Sequence, residues 1–205
     1  MRIDIWSDVA CPWCYITTTR FANAVKNTGV DVDVHLHSWE LNPNAPVRAP
    51  YPQGGEEQAR VTKRGAREGL DFRFDRAIAV NTRVVHRLIH AAEEDSLDGQ
   101  LPWDVEQALF RAHFTEGRDL SDPDVLVEIG VAAGMDRETA IQAVTDTDFA
   151  AEMDAEVTAD RAEGAKLIPD TIPFFLATDG SHLSRATSTK QFEQFLLSAA
   201  ENGQK

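Results

Sequence analysis

The chain has 205 residues, 42% of them hydrophobic, and a formal net charge of −14. That is enough apolar material to bury a real core as one domain, with room for an insertion. The negative charge opposes binding to nucleic acid or to anionic membranes, and no stretch approaches the length of a membrane span.

Elements are predicted in a clear order. A strand is expected over residues 2–7, a helix over 12–28 and a second strand over 31–38, with Gly29 standing where a helix C-cap belongs. This is a βαβ unit, which implies parallel strands. A loop rich in Pro, Gly and Asn follows, from Leu41 to Gly55. Helical patterns then run over about 56–69, 76–95, 102–115, 123–133, 136–143 and 147–163. Ser121-Asp122-Pro123 supplies a cap with an early proline, and Gly134 ends that helix. The positive residues between Arg60 and Arg87 read as a solvated helix face without a function. Strand character returns at Ile172–Ala177, Asp179-Gly180 is a hairpin signal, His182–Arg185 reads as its partner strand, and 189–200 as a last helix. Neither end supplies enough strands for a sheet alone, so the two ends are expected to meet in one sheet, with the helices packed as a lid.

The chain's only two cysteines stand in Cys11-Pro12-Trp13-Cys14, at the junction between the first strand and the first helix. A helix start offers unpaired N–H groups and the positive end of the dipole, which favour a thiolate on the first cysteine, while the second lies one turn on. Proline between them fits the first turn, where its missing N–H costs little. As half of a zinc site the pair lacks a second pair of ligands. His35 and His37 alternate with Val34 and Leu36, and read as polar-face residues of a strand, so no metal is assigned. As a static cross-link the loop is too short to add much stability. The start of the chain, Met1-Arg2, runs straight into the first strand without a secretory pattern, so the expected compartment is the cytoplasm. There a cysteine pair is more often chemical than structural.

The order of elements, with Cys-Pro-Trp-Cys at the first helix, resembles the DsbA-like thioredoxin-fold oxidoreductases, and more closely their FrnE-like branch within the 2-hydroxychromene-2-carboxylate isomerase/DsbA superfamily. The resemblance rests on Ser7–Tyr15, Glu40–Pro43, Asn81-Thr82 with His86–His90, Ala108–Asp119 and Ile172–Phe175, which span nearly the whole chain. It implies an α/β, thioredoxin-like fold (βαβ … ββα) with a large inserted all-helical domain: residues 1–55 and 165–205 form the thioredoxin-like domain and 56–164 the lid. It implies a cis bond at Ile172-Pro173, facing the cysteines and leaving the Ile172 backbone to pair with an extended substrate. The activity implied is thiol–disulfide exchange, with Cys11 attacking and Cys14 resolving. Pro12 and Trp13 tune the pair and, with Ile172 and Pro173, bind substrate. His86, His90, Phe110 and Phe114 of the lid shape the groove; the histidines are taken as packed and hydrogen-bonded rather than catalytic, and Trp39, Trp103, Phe174 and Phe175 as core. The expected partner is a protein or a small thiol or disulfide, glutathione among them, with no cofactor. The rival is a glutathione-dependent isomerase or transferase, which relatives carry out with a serine where this chain has Cys11; a non-catalytic binding module is a third reading.

Two departures stand out. The position where many such enzymes bury an acid, six residues before the first cysteine, is Ile5; Asp4 falls on the other face and Asp8 reads as a loop or capping residue, so water is expected to take the Cys14 proton. Ile168–Thr171 and Ser184–Thr189 also depart from the relatives' usual segments around the proline and after the hairpin.

Overall fold

A computed structural model describes residues 1–97, 99–168 and 171–203. Strands β1 (Arg2–Ser7) and β2 (Asp33–Ser38) are joined through helix α1 (Pro12–Thr28) and pair in parallel, Ile5 opposite Leu36. At the other end of the chain β5 (Phe174–Ala177) and β6 (His182–Ser184) form an antiparallel hairpin around Asp179-Gly180. The ends do meet: β5 pairs antiparallel with β1, Ile5 opposite Phe175, in a four-stranded sheet of order β2-β1-β5-β6.

β1 is buried on both faces. Ile3, Ile5 and Phe175 lie against α1 and the last helix, α8 (Thr189–Asn202), where Phe192 packs edge to face on Phe21 and Phe175, which are tilted to each other, with centroids 4.7–5.7 Å apart. On the other face Trp6 donates its indole N–H to the Asp160 carbonyl of α7 (Thr147–Leu167) at 3.1 Å. Gly164 is what lets α7 lie so close: a Cβ there would stand 2.8 Å from the Trp6 ring and 3.0 Å from Trp39. Gly29 caps α1 in the left-handed conformation (φ 66°), as its place in the sequence suggests.

Between β2 and β5 run α2 (Glu56–Gly65), α3 (Arg83–Asp95), α4 (Leu101–Arg111), α5 (Pro123–Ala133) and α6 (Arg137–Thr145), followed by α7. Two expectations give way here. The stretch from Leu41 to Gly55 is not all loop, and 76–95 is not one helix: β3 (Arg48–Pro50) and β4 (Ile78–Val80) pair as a small antiparallel ribbon. Asn81 makes the break. Its side-chain oxygen accepts the Arg83 N–H at 3.0 Å, which starts α3, and its amide donates to the Pro43 and Ala45 carbonyls. The smaller shifts are of one to four residues: β2 begins at Asp33, a single 3₁₀ turn follows α2, α4 passes into a π-type turn (Ala112–Glu116), and α7 continues to Leu167. Of the segment read before the proline, Pro169 and Asp170 lie outside the described residues.

Candidate active site at the first helix

Cys11 is the N-cap of α1, in extended conformation (φ −93°, ψ 107°), with Pro12 in the first turn. The Cys14 N–H donates to the Cys11 carbonyl at 3.0 Å and to its sulfur at 3.3 Å. The Cys11 N–H in turn donates to the Asp8 carbonyl at 2.9 Å, so the loop from β1 closes on the motif. The sulfur of Cys11 thus stands where backbone donors and the helix dipole favour negative charge. The cysteines are unequal: Cys11 keeps 6% of its surface exposed and Cys14 none. Burial pushes the Cys14 thiol well up from its usual range, and the neighbouring Cys11 sulfur and the Asp8 charge add to this, against a hydrogen bond from the Asp8 backbone.

Two clefts border the motif. The first, of about 330 Å³, is lined by Trp13, Thr17, Arg20, Arg60, Arg64, Thr171, Ile172, Pro173, Arg185, Ala186 and Thr187. The Ile172-Pro173 bond is cis. The Ile172 side chain is buried and its carbonyl accepts from the Thr171 hydroxyl at 3.2 Å. The second cleft, of about 430 Å³, touches Ala10 and Pro12 and is lined by Tyr51, Glu57, Val61, Phe74 and His113 among others. Helix α2 walls both. Its Glu57 accepts the Trp13 indole N–H at 2.6 Å, which fixes the ring against the inserted segment. The positive stretch is therefore divided: Arg60 and Arg64 face the first cleft, whereas Arg83 and Arg87 are bound to Glu40 and Asp154.

Behind the cysteines lies a set of buried polar groups that sequence reading only glimpsed. Ile5 is core, as expected, but Asp8 is more than a cap. It is 1% exposed, its carboxylate accepting the Ala10 N–H at 3.0 Å and the Leu41 N–H at 2.7 Å. Burial would raise its pKa, yet His86, 3.5 Å away, and these backbone donors hold it below the usual carboxylate range. An ionised acid therefore adjoins Cys14 after all. Glu106 of α4 is hydrogen-bonded to the Ser7 hydroxyl; burial pushes it up to about 7, opposed by Ser7 and reinforced by Asp8. His113 is pushed down to about 4 by burial, against the pull of Asp8. Tyr51 is pushed up to about 12 by burial and then by the charge of Cys11. Nothing local marks Tyr51, Glu106 or His113: each arrives from 40 to 100 residues away in the chain.

The lid residues divide as well. His90 is packed and bonded, to Ser38 Oγ and Asp160 Oδ2 at 3.0 Å each. His86 is packed, but its 3.5 Å approach to Asp8 is too long for a good hydrogen bond. Phe110 and Phe114 do not shape a groove. Both are fully buried and stack on Tyr15, with centroids 5.2 and 6.4 Å away, because α1 and α4 bury them between the two parts of the molecule. Phe174 and Phe175 are core, and Trp39 and Trp103 pack partly buried against it.

A βαβ unit closed by a ββα unit, with a Cys-x-x-Cys pair capping its first helix and a cis-proline bordering the same cleft as the motif, defines the thioredoxin class. Within that class the chain belongs to the DSBA-like thioredoxin domain family, whose sequence profile matches residues 2–196. It is similar to the crystal structure of a probable DsbA oxidoreductase from Streptomyces coelicolor, at 32% identity over 98% of this chain and 90% of that one, with a TM-score of 0.84. The fold is shared with a cytosolic disulfide reductase, DsbM, from Pseudomonas aeruginosa solved with GSH (21% identity, 98% and 100% covered, TM-score 0.74). It is also shared with a 2-hydroxychromene-2-carboxylate isomerase (11% identity, 99% and 95% covered, TM-score 0.61). Among the described residues no helix is long and apolar enough to cross a membrane.

Proposed function

We propose that the protein is a thiol–disulfide oxidoreductase of the cytoplasm, working through the Cys11–Cys14 dithiol. The observation that carries this is the unequal pair: a cysteine at the helix N-cap that keeps 6% of its surface exposed, with a second, fully buried cysteine one turn behind it. The Cys11 thiolate attacks one sulfur of a substrate disulfide, forming a mixed disulfide and releasing the other sulfur as a thiolate, which takes up a proton. Cys14 then loses its proton and attacks the Cys11 sulfur. The Cys11–Cys14 bond forms, the second substrate thiol leaves, and the substrate has gained two electrons that the protein has lost; run backwards, the same steps oxidise a dithiol. The Asp8 charge beside Cys14 raises that thiol, so the Cys14 proton leaves as the attack on Cys11 develops and goes to the departing substrate sulfur. Trp13, Pro12, Ile172 and Pro173 form the substrate-facing rim. The family membership and the likeness to the Streptomyces coelicolor protein support this reading. The glutathione in the DsbM structure makes a small thiol a reasonable partner.

The test is redox equilibration in thiol/disulfide buffers, read by alkylation of free thiols and mass. A reversible transition between dithiol and internal disulfide is expected, replaced in Cys14→Ser by an accumulating mixed disulfide on Cys11. Wild-type protein that never forms the internal disulfide while still binding glutathione would shift the assignment to a glutathione-dependent isomerase or transferase.

A further inference from the structure

The chain carries a net charge of −14, yet the first cleft beside the motif is lined by four arginines and, among the described residues, by no carboxylate. Two of them, Arg60 and Arg64, stand one turn apart on α2, and the positive face continues outward through Lys63 and Arg67. Two lining arginines are partly neutralised. Arg20, nearly buried, pairs with Glu68 at 2.7 Å and donates to the Ala186 carbonyl. Arg60 pairs with Glu57, the residue that also holds Trp13. No ion pair engages Arg64 among the described residues. Across the cleft, Arg185 is the one described non-glycine residue in the left-handed region (φ 54°). A non-glycine residue in this region persists only where the surrounding structure holds it in place. Against an acidic background, such a cleft is a local positive potential, focused by its walls.

Resting on the oxidoreductase reading above, we infer that this cleft selects the charge of the substrate: Arg60 and Arg64 receive a carboxylate carried by a low-molecular-mass thiol or disulfide whose sulfur meets Cys11. A volume of about 330 Å³ suits a small-molecule substituent, and the arginine fork suits carboxylate geometry. The inference is sharp because overall charge points the other way. A molecule at −14 should repel anions and attract cations unless the local field at the cleft reverses the preference.

The experiment measures the rate at which reduced protein exchanges with three small disulfides at low salt: glutathione disulfide (anionic), bis(2-hydroxyethyl) disulfide (neutral) and cystamine (cationic). Rates are corrected for the intrinsic reactivity of each disulfide with a free thiol. Wild type is expected to favour the anionic disulfide over the cationic one by roughly tenfold or more, a typical size for local electrostatic steering. The preference should shrink as salt shortens the screening length. It should fall toward unity in Arg60→Gln/Arg64→Gln and in Arg64→Gln alone, and be unchanged in Arg137→Gln, which removes a positive charge from exposed α6. A wild type that exchanges with all three equally, or fastest with cystamine, overturns the charge selection and leaves the oxidoreductase assignment standing. No exchange with any of the three overturns both. The salt series needs no variant, so the inference can fail even if a substitution on α2 unfolds the helix.

Discussion

Two polar clusters, one partly and one fully buried, join the sheet to the inserted helices, and they are built differently. In one, His37 sits between Asp160 and Asp4, each ring nitrogen 2.7 Å from a carboxylate oxygen, with the ring stacked on Trp6 at 4.3 Å. Asp160 also accepts the Ser38 N–H at 2.7 Å and Asp4 accepts from Arg2. In the other, behind Cys14, Asp8 is bonded by backbone, but His86 approaches it only to 3.5 Å, and neither nitrogen of His113 has a partner among the described residues. A fully connected buried network fixes geometry; a half-satisfied one is costly and is tolerated where something else is gained. The connected cluster clamps α7 to the sheet. The unsatisfied one lies next to the cysteines, where the proposed exchange requires charge to appear and disappear.

The largest effect should come from breaking the connected cluster. Asp160→Ala leaves His37 with Asp4 alone and strips the Ser38 N–H and His90 of their acceptor, so it is expected to cost about 3 kcal/mol, the low end for a buried pair. The pH dependence separates charge from packing. Burial opposes ionisation of His37, but Asp160 and Asp4 raise it to about 9; burial likewise opposes both acids, but their partners hold each at about 2. The His37 contribution is then complete below its unfolded value of 6.5 and lost as pH rises through about 9. That of the acids is complete above 3.8 and lost as pH falls through about 2. Urea unfolding should therefore show the deficit of His37→Ala near its greatest at pH 6 and smaller above pH 9. An equal deficit at both would mean that the ring matters only as a packing surface against Trp6.

The unsatisfied cluster should respond less, because its two titrating groups act against each other over the same pH interval. Glu106, raised from 4.5 to about 7, binds more protons folded than unfolded between those values, so its contribution falls as pH rises, by up to about 3 kcal/mol. His113, lowered from 6.5 to about 4, binds fewer protons folded, so its contribution rises over that interval. The two slopes oppose each other between about 4.5 and 6.5. Glu106→Gln should leave the rising slope and gain stability over wild type above pH 7; His113→Phe should leave the falling one. Denaturation midpoints across that range check this, and parallel curves for the two variants would remove the cluster from any account of stability.

The thioredoxin half was legible because its signals are local. Alternation along residues 2–7 and 33–38, glycine at a helix end and Asp-Gly at a hairpin each act within a few residues, and they outline the sheet without any long-range knowledge. The ribbon of β3 and β4 was not, since a three-residue strand ending in proline and another continuous with a helical stripe exist only through each other. The site divides the same way. Cys11 and Cys14 announce themselves by spacing, while Tyr51, Glu106, His113 and the arginines of α2 gain meaning only when the insertion folds onto α1. Asp8 was visible but undervalued, because sequence shows a loop acid and only the fold shows that the loop is sealed.

The smallest expected effect tests that limit most directly. His35 and His37 share a strand face and look equivalent in sequence, yet His35 remains 38% exposed and pairs with an Asp33 that is 59% exposed. A pair in such contact with water contributes roughly 0–1 kcal/mol, so His35→Ala should shift stability by less than about 0.5 kcal/mol. Beside it, His37→Ala should lose several times more. If the two losses were alike, the clamp would belong to the strand rather than to the cage of carboxylates around one ring, and the contrast between the two clusters would lose its basis. If they differ as expected, the burial of the partner, rather than the identity of the histidine, decides which of two residues on one face holds the halves together.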